Sequence, residues 1–87
     1  MVYISALVIL AGQMGWMEYT KQAFPDMVMC ESYLSDEYNR GFLEGTLAQT
    51  FSTRGEYDLV VMECMTHEEK DLKNEELKKM QEFYDAV

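Results

Sequence analysis

The nine residues Val2–Leu10, VYISALVIL, constrain this chain more than any other segment. They carry no charge, and apolar side chains fall on both parities, so an extended segment here is apolar on both faces. The β-branched residues among them favour that extended form. Such a strand must be covered on two sides by the rest of an 87-residue chain, which predicts a central position in a small sheet. The length fits one domain, residues 1–87, with a single modest core.

Residues 11–15 (AGQMG) read as a loop, and 16–24 have helical spacing through Trp16, Tyr19, Gln22 and Ala23. Pro25 and Asp26 would stop that helix. The Met-Val-Met-Cys run within 26–33 suits a second strand. Ser35 is a candidate N-cap, with Asp36 and Glu37 in the first turn of a helix reaching about Phe51. Its apolar stripe would be Tyr38, Phe42, Leu43, Leu47 and Phe51, with Gly55 marking the stop. Gly41 and Gly45 lie one turn apart in it, and each costs about 1 kcal/mol against Ala. That cost points to close packing on their side by a strand, a helix or a partner. Residues 57–65 (YDLVVMECM) read as the third strand. Thr66-His67-Glu68-Glu69 has the form of a capping box, and Asn74 offers a second start. Leu77, Met80, Tyr84 and Val87 then share one helical face, with Glu75 and Lys79 as an i,i+4 pair. The predicted fold is a small α/β domain in the order β-α-β-α-β-α, with three strands and about three helices. The alternative is an α+β arrangement with a mixed or antiparallel sheet.

Charge narrows the function. Sixteen acids oppose seven Lys and Arg, a net charge of −9 and a pI near 4.3. Residues 26–63 hold eight of the acids and only Arg40 and Arg54 as bases, two thirds of the excess. Like-charge repulsion argues against nucleic acid or an anionic membrane as ligand. A basic protein surface fits, although acidity also serves solubility alone. The 48% hydrophobic share excludes a disordered acidic tail. The uncharged stretch 1–17 is interrupted by Gly12, Gln13 and Gly15 and is too short to cross a bilayer. It has neither a basic leader nor a small-residue cleavage site, so no signal peptide is expected. Two cysteines without a CxxC pattern suit a reducing cytosol, and the expected location is cytoplasmic.

Motifs for chemistry are sparse. Gly12 and Gly15 follow a strand and precede a predicted helix, as phosphate-binding loops do, but no Lys-Ser/Thr follows them. A turn requiring positive φ explains them equally well. Cys64 and His67 are spaced CxxH, with Cys30 a third ligand only if its strand lies beside that of Cys64, and no second half-site is present. The single histidine gives no marked dyad, and Asp36/Glu37 and Glu68/Glu69 read as solvated helix starts. The expectation is a protein that is not an enzyme and carries no cofactor or metal. The eight methionines read as core.

One segment combines with its context. Met29-Cys30-Glu31-Ser32-Tyr33-Leu34 puts a Glu-Ser pair at the end of an apolar run, ahead of an acidic helix. Across residues 28–47 this resembles the protein inhibitors of uracil-DNA glycosylase used by phages and mobile elements, in which a Glu-Ser pair sits on a strand edge. A glycosylase grips phosphates, flips uracil and pushes an apolar side chain into the gap. The resemblance implies a DNA mimic that binds the host enzyme 1:1 through its DNA groove. Glu31 and Ser32 would meet the phosphate-gripping loops, beside Tyr33. Asp36, Glu37 and Glu44 would extend the mimicry. From their position on the helix, Phe42, Leu43 and Leu47 could line a pocket for the intruding side chain. The alternatives are an acidic inhibitor of a CRISPR effector or other host nuclease, a minimal nucleotide-binding or regulatory domain built on residues 11–15, and a subunit-interface protein.

Overall fold

The computed structural model describes residues 1–51 and 56–85, with side chains to 81. Gly55, Val87 and the Tyr84 side chain therefore lie outside the described residues. Three strands and three helices are present: β1 (Val2–Leu10), β2 (Gln13–Phe24), α1 (Met27–Ser35), α2 (Glu37–Phe51), β3 (Tyr57–Thr66) and α3 (His67–Asp85). The strands form one antiparallel sheet in the order β2-β1-β3. The segment apolar on both faces is its centre, as its composition requires. No described helix is long and apolar enough to cross a membrane.

The element order, β-β-α-α-β-α, differs from the predicted alternation at two adjacent segments. Residues 16–24 are strand, not helix. Ala11 and Gly12 have φ of 54° and 79°, and Leu10 pairs with Gln13 across them. Two residues with positive φ make the tight turn whose twist suits a hairpin, so the chain returns at once along β1. Trp16, Tyr19 and Thr20 suit a pleated surface better than a helix whose stripe included the polar Gln22. The hairpin also removes the helix N-terminus on which a phosphate-binding reading of Gly12 and Gly15 depended.

Residues 27–35 are helix, not strand. The Asp26 carboxylate accepts from the Met29 amide at 2.9 Å and caps α1. Met27, Cys30, Tyr33 and Leu34 then fall on one face and pack on the core. Asp36 caps α2, accepting from the Tyr38 and Asn39 amides at 2.8 and 3.3 Å. The predicted cap, Ser35, instead closes α1 and donates to the Ser32 carbonyl. At Thr66 the predicted box forms in full. Its amide donates to the Glu69 carboxylate, and its hydroxyl accepts from the Glu69 amide, both at 3.2 Å. Asn74 starts no helix and lies within α3.

Alternation along β1 divides the core. Val2, Ile4, Ala6 and Val8 face α1 and α2, where they meet Phe24, Cys30, Leu43 and Phe51. Tyr3, Ser5, Leu7 and Ile9 point to the face that α3 crosses. Between Tyr19 and Phe24, β2 bulges while β1 advances only from Ile4 to Val2. Cys30 on α1 is bonded to Cys64 on β3, with Cα atoms 6.0 Å apart. The sequence gives no sign of this bond, because it arises from the helix that puts Cys30 on the buried face of α1, directly over β3. The bond also takes Cys64 out of any CxxH ligand pair. Of the methionines only Met65 is fully buried, with Met27 and Met62 packed against the core. Met1, Met14, Met17, Met29 and Met80 are exposed, so the methionines do not form the core as a group.

Candidate functional site

The acids singled out from sequence come together on the α1–α2 layer. Glu31 is exposed on α1, Asp36 sits between the helices, and Glu37 and Glu44 are exposed on α2. Glu37 and Glu44 are seven residues apart and share one flank of that helix. Among the described residues no ion pair involves any of these carboxylates. The one cation on the layer, Arg40, turns its guanidinium to the Leu34 carbonyl at 3.3 Å, at the C-terminal end of α1. Its charge serves the helix junction and leaves the acids uncompensated.

Glu31 and Ser32 are on the outer side of a helix, which corrects the strand-edge geometry that the resemblance implied. Tyr33 is half-buried, its ring 5.4 Å from Phe24, and acts as packing. The predicted apolar stripe of α2 also divides. Leu43 and Phe51 are buried and Leu47 is half-buried, but Tyr38 is 82% exposed and Phe42 56%. Tyr38 and Phe42 sit one turn apart on the flank away from the acids. On α1, Val28 and Met29 are exposed as well. Sequence reading missed these two because it placed them in a strand.

Gly41 and Gly45 occupy the outward strip between the two flanks of α2. A Cβ built at either would meet no atom within 4 Å. The close packing that their cost suggested is therefore absent inside the fold. Among the described residues neither a strand nor a helix covers that side.

Leu43, Leu47 and Phe51 form one wall of a cleft of about 190 Å³ between α2 and the sheet. Ile4, Ala6, Met17, Tyr19 and Met62 form the floor, with Glu18, Thr20, Lys21, Thr46 and Thr50 at its borders. Phe42, expected in this pocket, points elsewhere. The cleft was invisible from sequence because half of it belongs to β2, read there as a helix. The β-bulge that brings Lys21 to its edge has no signature in one sequence.

The opposite face has a different chemistry. The His67 imidazole lies between the carboxylates of Glu18 at 3.1 Å and Asp71 at 3.2 Å. Lys70 donates to Asp71 at 2.9 Å, and this bond, with the nearby His67 charge, holds the Asp71 carboxyl below its ordinary value. Asn74 accepts from the Trp16 amide at 2.8 Å and donates to the Trp16 carbonyl at 3.1 Å. Lys73 pairs with Glu63 and lies 4.9 Å over the Trp16 ring. His67, Lys73 and Asn74 tie α3 to the sheet through Glu18, Glu63 and Trp16, while Lys70 and Asp71 pair within the helix. No protein-family model, curated protein or solved structure matches the chain.

Proposed function

We propose that this protein is a small acidic inhibitor that occupies the DNA-binding groove of a basic host enzyme, with uracil-DNA glycosylase as the first target. The observation that carries the reading is the α1–α2 face, where carboxylates outside any ion pair lie on one flank of α2 and on α1, near exposed Val28, Met29, Tyr38 and Phe42. A surface that steers by charge and holds by apolar contact has this composition. Glu31, Asp36, Glu37 and Glu44 stand in for phosphates. The glycine strip of α2 lets a partner's backbone approach closely. The apolar cleft beside Leu43 and Leu47 receives an intruding side chain. Ser32 is a hydrogen-bonding group beside Glu31 on α1, and Tyr33 supports the helix from beneath.

On this reading the protein acts without turnover, in the cytoplasm of a phage-infected host. Thiol pools there favour the reduced cysteine pair. Cytoplasmic action therefore requires the α1–α2 face to bind with Cys30 and Cys64 as thiols. A nuclease or CRISPR effector is the second reading, since the same charge array serves it.

A uracil-excision assay tests the proposal, titrating the protein against purified glycosylase with and without reductant. Complete inhibition at stoichiometric ratio, weakened by Glu31→Gln, Glu37→Gln and Glu44→Gln together, is the expected result. No inhibition at large excess in either redox state rules out the glycosylase.

A further inference from the structure

We infer that the cleft between α2 and the bulged part of β2 is a binding site for an amphipathic carboxylate, a free acid with a linear alkyl chain. Three observations converge on that chemistry. The cleft is walled by Ile4, Ala6, Met17, Leu43, Leu47 and Phe51, which offer apolar contact. From Leu43 to Phe51 it follows α2 for two turns, about 12 Å, so its wall is long rather than round. Two of the three threonines bordering it have their hydroxyl protons engaged within α2. Thr46 donates its hydroxyl to the Phe42 carbonyl at 3.0 Å, and Thr50 donates to the Thr46 carbonyl at 2.9 Å.

Lys21 supplies the polar end. It is the first cation in the sequence and the only one before Arg40, in a chain of net charge −9. It lies at the cleft edge on the bulge of β2, exposed, and forms no ion pair among the described residues. Its nearest acidic neighbour in sequence, Glu18, has its carboxylate engaged by His67. A free ammonium at the mouth of an apolar cleft fits one negative head group on one hydrocarbon tail. The net negative charge disfavours an anionic bilayer as the source of that chain, which leaves the free acid.

Octanoate is the probe, and the intact protein is titrated while the methyl signals of Leu43, Leu47, Met17 and Met62 are followed by NMR. Saturable 1:1 binding with shifts confined to these methyls is expected. Across butanoate, hexanoate and octanoate, affinity should rise about fourfold per added methylene until the cleft is filled. Octanol should bind roughly two- to fivefold more weakly than octanoate, the range of a solvent-exposed ion pair. Lys21→Met, at an exposed position, should erase that difference and leave octanol binding unchanged. Absence of saturable shifts, or an acid preference that survives Lys21→Met, overturns the assignment. Binding only to anionic phosphatidylglycerol vesicles overturns it too, because the chain then belongs to a membrane. The experiment contains no target enzyme, so its failure leaves the carboxylate array of the inhibitor reading standing; the two readings share the cleft, where an alkyl chain and an enzyme side chain exclude each other.

Discussion

The two faces of the sheet are built on different principles. On one, α3 is docked by directional polar ties: Asn74 to the Trp16 backbone, His67 to Glu18, and Lys73 to Glu63 and the Trp16 ring. On the other, α1 and α2 rest on buried apolar side chains and a covalent bond, Asp26 and Asp36 cap the two helices, and Glu31, Glu37 and Glu44 face outward outside any ion pair among the described residues. On α3, Glu69 is committed to the cap and Asp71 to Lys70 and His67, while the exposed Glu68, Glu75 and Glu76 share their helix with Lys78 and Lys79. On the α1–α2 layer Asp36 is committed to the α2 cap, and Glu31, Glu37 and Glu44 stay outside any ion pair among the described residues, with Arg40 the one cation beside them. The separation teaches that acid content alone does not mark an interface; what matters is whether the acids are already engaged.

The largest way to break the comparison is to cut the bridge. Cys30→Ala with Cys64→Ala opens a loop with a sequence separation of 34, and chain entropy sets the loss at about 4 kcal/mol. Thermal or denaturant unfolding measures it, and hydrogen exchange should locate the added opening in α1 and α2, not in α3. Equal loosening of both helical layers would show that the faces are not independent. Next, Leu43→Ala should cost about 3 kcal/mol, because it leaves a cavity under α2. Asn74→Ala should cost about 2 kcal/mol by stranding a part-buried amide and carbonyl of Trp16. A greater loss at Asn74 than at Leu43 would reverse the assignment of polar and apolar faces.

Smaller effects sharpen the contrast. The lowered folded-state value of Asp71 means its contribution is present above the ordinary carboxylate value of 3.8. It is lost as pH falls below that through the folded value, when the Lys70 and His67 contacts lose their anion. Asp71→Asn should therefore flatten the acid limb of the stability profile, and only slightly, because the group is fully exposed. Gly41→Ala and Gly45→Ala should each stabilise the protein by about 1 kcal/mol, since both sit in helix with open space above them. Against a target that uses the strip, the same changes should weaken inhibition, a gain in one assay against a loss in the other.

Particular residues show why sequence reached some of this structure and not the rest. The period-independent apolar run of β1 admits only a central strand, and the Thr66–Glu69 box specifies a helix start by local hydrogen bonds alone. Both are correct because nothing distant competes with them. Residues 16–24 carry only a weak helical stripe of their own, and pairing with β1 decides their form. The cue was local after all: Ala11-Gly12 is a two-residue turn between extended segments. Residues 27–33 follow a capping Asp and include the helix formers Met27, Met29 and Glu31, a signal hidden by the Met-Val-Met-Cys run. Glu31, Asp36, Glu37 and Glu44 are exposed whichever element carries them, since charge needs no register to be seen. The cleft does need register, because it depends on two elements meeting across a bulge.

The position of β1 has a consequence for how the chain acquires its fold in time. The strand that needs the most covering precedes every element that covers it. Its first edge is closed quickly, since β2 follows after a two-residue turn and pairs locally. Its second edge waits for β3, which begins at Tyr57, and until then an uncharged strand lies open to another chain. Oxidation cannot shorten that wait, because Cys64 arrives with β3 itself. The interval between the two pairings is the period of greatest risk of aggregation, and crowding during synthesis, rather than final stability, should limit the yield of this protein.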